Sequence, residues 1–104
     1  MAAAKVVFHP GAFQDYATAF AWYDERGTTL ASDFENEIDR GIRLISQNPL
    51  RWRKFDDERR SFLVRKFPYS IIYELHDKDV VVLAIAHGKR RPKYWSERAT
   101  RSKP

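Results

Sequence analysis

Tyr69-Ser70-Ile71-Ile72-Tyr73-Glu74-Leu75, then His76-Asp77-Lys78-Asp79, then Val80-Val81-Val82-Leu83-Ala84-Ile85-Ala86 form one unbroken stretch of the chain. The outer segments are dense in β-branched and aromatic residues and flank a short polar turn, the signature of a β-hairpin. Tyr69, Ile71, Tyr73 and Leu75 recur with a period of two and form one core-facing row. Val80–Ala86 is apolar on both faces, which predicts a central strand rather than an edge. Gly88 ends it. Upstream, Ser61–Lys66 alternates, with Phe62 and Val64 on one face and Leu63 and Arg65 on the other. Phe67-Pro68 interrupts it, because proline has no N–H for the ladder. Arg51–Phe55 reads as a short edge strand, and Asp56-Asp57-Glu58 as a polar turn.

The period changes to helical toward the N-terminus. Phe13, Tyr16, Ala17, Phe20 and Tyr23 are spaced by three and four and mark one apolar face of a helix from Pro10 to about Arg26. Pro10 suits a first turn, and Gly27 a C-terminal stop. A second helix runs to about Gln47, with Thr28 or Thr29 as its cap and Leu30, Phe34, Ile38, Ile42 and Ile45 as its stripe. Asn48-Pro49 ends it. Gly41 lies inside it at a cost of about 1 kcal/mol relative to Ala, which a close helix–helix approach would offset. The short link at Gly27 implies an antiparallel helical hairpin. With Lys5–Phe8 as a first short strand, the order is β-α-α-β-β-β. The fold class is α+β in two layers, a helical hairpin on a twisted, mainly antiparallel sheet of four to five strands. Residues 1–98 form a single domain, and 99–104 a basic tail.

Composition fits that reading. The chain has 104 residues, 43% hydrophobic and 32% charged, which is ordinary for a globular domain. It lacks cysteine, so disulfides and Cys-based zinc sites are excluded, and a reducing cytoplasm suits it. No run approaches the roughly 20 apolar residues of a membrane span, and the N-terminus has no signal-peptide pattern. We therefore expect a cytoplasmic protein. Net charge is +5, unevenly spread: residues 1–50 carry −3 and residues 51–104 carry +8. From His87 onward there are seven basic residues against one acidic residue, Glu97, interleaved with Tyr94 and Trp95. That mixture suits a polyanionic partner, nucleic acid or an acidic protein segment. Three scattered histidines without a spaced carboxylate set argue against a metal site, and no cofactor is expected. His9 reads as structural, His76 as an exposed turn residue, and Trp22 with Tyr23 as packing of the helical hairpin.

The order of these parts resembles the RelE/ParE superfamily of type II toxin–antitoxin toxins, closest to its ParE-like members. The resemblance spans nearly the whole chain. It rests on Phe8-His9-Pro10 with Ala12 and Asp15, Ala21-Trp22-Tyr23, Leu30-Ala31 with Phe34 and Glu37, and Asn48-Pro49. It continues through Arg65-Lys66-Phe67-Pro68-Tyr69, Ile72-Tyr73 and Leu83-Ala84-Ile85-Ala86-His87 to Arg90, Arg91, Pro92, Tyr94-Trp95 and Arg98. It implies a plasmid-stabilisation toxin, neutralised by an antitoxin with an acidic and apolar C-terminal segment, that arrests growth by inhibiting DNA gyrase. Arg90, Arg91, Lys93, Tyr94, Trp95 and Arg98 would then form the target-binding surface. RelE-like relatives instead cut mRNA on the ribosome. In that case His87, Arg65, Arg91 and Tyr94 are the catalytic candidates: His87 as acid or base, the arginines as phosphate clamps, Tyr94 for stacking or proton transfer. Whether the chain is an enzyme thus stays open, as does a plain nucleic-acid-binding module. His87 has a second reading as a strand-end anchor, and Trp95 a second reading as the residue that docks the C-terminal segment.

Overall fold

In the computed structural model, which describes residues 3–90 and 93–98, two helices lie on one face of a five-stranded sheet. Strand β1 (Val6–Phe8) leads into α1 (Pro10–Asp24) and α2 (Thr28–Gln47), followed by β2 (Arg53–Lys54), β3 (Arg59–Leu63), β4 (Tyr69–His76) and β5 (Asp79–His87). The spatial order is β1-β5-β4-β3-β2. All pairings are antiparallel except β1 with β5, which run parallel. A parallel pairing needs a long crossover connection, and the helical hairpin and three strands between the two partners supply one. Among the described residues no helix is long and apolar enough to cross a membrane.

The expected helices form, with local corrections. His9 caps α1: its Nδ1 accepts from the Gly11 N–H at 2.9 Å, and Pro10 opens the helix. Gly27, not a threonine side chain, is the N-cap of α2, and it stands at φ 156°, where a side chain is disfavoured. The sheet-facing stripe of α1 is Ala12, Asp15, Ala19 and Tyr23, rotated from the expected face. Phe13 is 61% exposed, and Trp22 points outward beneath the Arg26 guanidinium at 3.5 Å. Gly41 makes its close approach to the sheet rather than to α1. A Cβ there would sit 2.8 Å from Ile71 Cδ1 and 2.9 Å from Phe62 Cε1.

The main core lies between the layers, with Phe34, Ile38 and Ile45 from α2 against Phe62, Ile71, Tyr73 and Ile85. Phe34 is ringed by Tyr16, which stacks on it, Tyr23, which is tilted, and Phe67 and Tyr69, which meet it edge-on. On the other face of the sheet Ile72, Val81, Leu83 and Ala84 pack beneath Trp95. Strand β3 begins two residues and ends three residues earlier than its alternation implies. After Val64 the chain leaves the ladder, with Lys66 at φ 73°. Arg65 therefore lies beyond the strand, not within it. His76 belongs to β4 and is half-buried against Glu74, with Nε2 to Oε1 at 2.8 Å, rather than lying in an exposed turn.

One irregularity matters for the site. Ile72 pairs with Ala84, but Tyr73 pairs with Val82, so Leu83 is an extra residue in β5. This bulge sets Leu83 and Ala84 both toward the second face, while Val82 and Ile85 stay in the main core.

Candidate functional site at the C-terminal edge of the sheet

The outer edge of β5 is covered only in part. Strand β1 pairs with Val80–Val82, and the His9 N–H closes that ladder on the Val82 carbonyl at 2.8 Å. Past this point the edge has no strand partner among the described residues, and its backbone groups need other acceptors and donors. Asp15, reaching in from α1, accepts from the Ile85 N–H at 3.2 Å. Arg98 donates to the Leu83 carbonyl at 3.1 Å. Two side chains thus occupy the place of a sixth strand.

Those two side chains also bind each other. Arg98 Nη1 lies 2.7 Å from Asp15 Oδ2 and its Nη2 3.2 Å from Oδ1, a two-pronged charge-assisted pair. The Tyr94 hydroxyl donates to the same Oδ2 at 2.9 Å. Arg90 Nη1 stands 3.7 Å from Oδ1. The carboxylate is buried, and these donors supply the pairing that a buried charge requires. Burial, together with the Asp15 charge and its hydrogen bond, pushes the Tyr94 hydroxyl well above the ordinary tyrosine range. The bond to Asp15 also raises the Arg98 guanidinium. Tyr94 is therefore held neutral as a donor. Gly11 permits the approach: a Cβ on it would lie 2.5 Å from Arg98 Nε.

This anchorage fixes the whole terminal segment. Lys93 turns the chain at φ 60°, with Ser96 N–H and Oγ both donating to its carbonyl at 2.9 and 2.6 Å. Trp95, 3% exposed, lies on the second face of the sheet with Phe55 against its ring at 5.3 Å. Its docking role is the one the structure supports. Arg90 stacks on Tyr94 at 3.8 Å yet keeps 52% of its side chain in solvent. Lys89 and Lys93 are exposed beside it.

His87 ends β5. Its Nδ1 accepts from the Lys89 N–H at 2.9 Å, which puts the proton of the neutral ring on Nε2, and the ring stands edge-on to Tyr69 at 5.0 Å. It lines two neighbouring recesses. One, of about 240 Å³, is shared with Gln14, Asp15, Thr18, Arg90 and Arg98. The other, of about 220 Å³, is shared with Phe55, Ser70, Lys93, Tyr94 and Trp95. The structure therefore brings His87, Arg90, Lys93, Tyr94, Trp95 and Arg98 together. Arg65 stands apart, lining neither recess and bonded to Glu37 of α2 at 3.1 Å. Arg91 lies outside the described residues. Among those described, no group of three or more His, Asp or Glu is arranged as a metal would require.

Sequence reasoning quoted Asp15 but gave it no role. Aromatic periodicity put the buried face of α1 on Phe13 and Tyr16, which leaves Asp15 outside. The usable signal was the small-residue row Gly11, Ala12 and Ala19 about that aspartate, since small residues mark where a helix sits close to its neighbour.

A second, apolar groove of about 390 Å³ runs beside the helical hairpin, lined by Phe8, Phe13, Tyr16, Ile38 and Ile42 with Asp39 at its rim.

Comparison with known proteins agrees with this architecture. A chain of the chromosomal ParDE toxin–antitoxin system from P. aeruginosa superposes with a TM-score of 0.71 at 16% identity, covering 81% of this chain and 95% of its own. No curated protein matches the sequence. The family model for the ParE toxin of the type II toxin–antitoxin system, parDE, matches residues 6–92. With that model spanning β1 through the β5 edge and its basic end, the chain belongs to the ParE toxin family of type II toxin–antitoxin systems.

Proposed function

We propose that this ParE family member arrests growth by inhibiting DNA gyrase through its basic C-terminal segment, and that a cognate antitoxin neutralises it. The observation that carries this reading is the exposed cluster of Lys89, Arg90 and Lys93, held on a segment pinned at both Trp95 and Arg98. A rigid cationic patch supplies electrostatic complementarity to an acidic partner surface without chemistry. The antitoxin is read onto the apolar groove at Phe13 and Tyr16, where an apolar segment would bury the exposed Phe13 ring.

The runner-up is ribosome-dependent mRNA cleavage, favoured by one observation: His87 and Arg90 share a recess in which a phosphate could be gripped. Against it, general acid–base work needs a proton donor or acceptor free at neutral pH. Tyr94 is held neutral on Asp15 and Arg65 is paired with Glu37, while His87 has its Nδ1 engaged by the Lys89 N–H and offers only Nε2. Controlled expression in a bacterial host with parallel pulse labelling of DNA and protein synthesis separates the two. Early arrest of DNA synthesis is the expected result. Early arrest of translation with cleaved mRNA would replace gyrase by the ribosome, and His87→Gln should then abolish the effect in a folded protein.

A further inference from the structure

We infer that Asp15 is the positioning residue of the C-terminal target surface, acting from α1 through Arg98 and Tyr94. The inference rests on the reading of Lys89, Arg90 and Lys93 as the surface that meets the target. Asp15 touches no target itself. It stands 79 and 83 residues before Tyr94 and Arg98, and its carboxylate binds both. The cationic segment therefore divides into two sets. Tyr94, Trp95 and Arg98 face inward and hold the segment, while Lys89, Arg90 and Lys93 face solvent.

Three independent features converge on this carboxylate. The bulge at Leu83 and the early end of β1 leave backbone groups on the β5 edge for it and Arg98 to meet. Gly11 provides room for the guanidinium. Arg90 lies near enough to Asp15 to be oriented by it, yet stays half in solvent. An aspartate that served only to pair the edge amide of Ile85 would need none of the basic contacts. Asn serves an amide equally well, but cannot accept both prongs of a guanidinium, since its NH₂ would oppose one of them with a donor.

The test uses the full-length chain with Asp15→Asn, Arg98→Gln, both together, and Lys89, Arg90 and Lys93 all changed to Ala. Two readouts are taken: the Trp95 indole N–H resonance in the NMR spectrum, and the inducer level that gives half-maximal growth arrest. Asp15→Asn should move the Trp95 resonance toward a solvent-exposed position while leaving those of Trp22 and Trp52 in place. It should raise the inducer level about tenfold, the scale of one lost charge-assisted hydrogen bond. The double variant should cost clearly less than the sum of the two single variants, because Asp15 and Arg98 share one contact while each keeps a partner of its own in Tyr94 and the Leu83 carbonyl. Arg98→Gln tests the same link from the other side if Asp15→Asn fails to fold. An unmoved Trp95 resonance in folded Asp15→Asn overturns the inference. So does a released segment with undiminished arrest, provided the triple Ala variant is inactive. If the triple variant arrests growth as wild type does, it is the target-surface reading that falls, and the positioning role falls with it. A wild type without any growth effect sinks the functional reading and the target-positioning role with it, while the resonance separately decides whether Asp15 holds the segment.

Discussion

Glu37 is an acidic residue facing inward from α2, with its side chain 9% exposed, and its Oε2 meets Arg65 at 3.1 Å. Its other oxygen is buried and finds no hydrogen-bond donor among the described residues. A carboxylate in that setting is tolerated because of the guanidinium, so Arg65→Ala strands a buried charge. The full cost for a buried pair is about 3–5 kcal/mol, but Arg65 is 57% exposed and water can partly replace it. Urea denaturation should show a loss of about 1–2 kcal/mol, with Glu37→Gln restoring most of it in the Arg65→Ala background. A stable Arg65→Ala protein that no longer arrests growth would instead make Arg65 a contact residue. Tyr73 gives a second test at this scale. It is fully buried, donates to the Pro49 carbonyl at 2.6 Å, and burial pushes its hydroxyl up to about 12 despite the opposing charge of Arg60. The unfolded chain releases this proton near pH 10 whereas the folded chain keeps it. Above pH 10 the unfolded state thus binds fewer protons, and stability falls as pH rises toward 12. Tyr73→Phe should cost about 1 kcal/mol at neutral pH and flatten that alkaline fall. Some decline will remain, because Tyr16 is raised to about 12 by burial and by Glu35 and Asp39. An equally steep fall in Tyr73→Phe would assign it to other groups.

Among the elements, the terminal segment 93–98 is the one whose stability is borrowed. Its only regular structure is a single 3₁₀ turn, Ser96–Arg98, too short to hold itself. Trp95 supplies its packing, and in return covers Ile72, Leu83 and Ala84 on the second face. Trp95→Ala should therefore uncover the sheet and cost about 3 kcal/mol in urea denaturation, the lower end for a buried aromatic because the segment can relax. A loss below about 0.5 kcal/mol would mean that the segment contributes nothing to the fold. The strands β4 and β5 were legible in the chain because alternation and continuous apolarity each have one structural meaning. Phe62, Val64, Ile71 and Tyr73 all face the core as their spacing says. The rotated face of α1 was not legible, since its buried stripe contains a carboxylate that earns its place only through Arg98, far away in sequence. The bulge at Leu83 was hidden for a related reason. A strand apolar on both sides gives no alternation against which an extra residue would show. Phe67-Pro68 did mark the end of β3, but the left-handed turn at Lys66 takes the chain out of the ladder sooner than the apolar pattern does.

For the molecule as a whole, two surfaces of different character are set apart by the fold. The helical hairpin, from the acidic half of the sequence, presents an apolar groove around Phe13. The sheet edge and its terminal segment carry the excess positive charge. If an acidic and apolar antitoxin segment spans both, the two surfaces should control different rate constants. Long-range attraction governs encounter and is screened over about 8–10 Å at physiological salt, whereas desolvated aromatic contacts govern escape. Surface plasmon resonance with the cognate antitoxin should then show an association rate that falls several-fold from low to physiological salt. Ala at Arg90 and Lys93 should weaken that salt dependence with little change in dissociation. Phe13→Ala should do the reverse, speeding dissociation at least tenfold at a nearly constant association rate, as loss of an anchoring aromatic does. Because Phe13 is mostly exposed in the free chain, the same variant should keep its melting temperature, so a change in binding cannot be attributed to unfolding. Unchanged dissociation in Phe13→Ala would remove the hairpin groove as the antitoxin's seat and leave the basic edge to carry both association and retention.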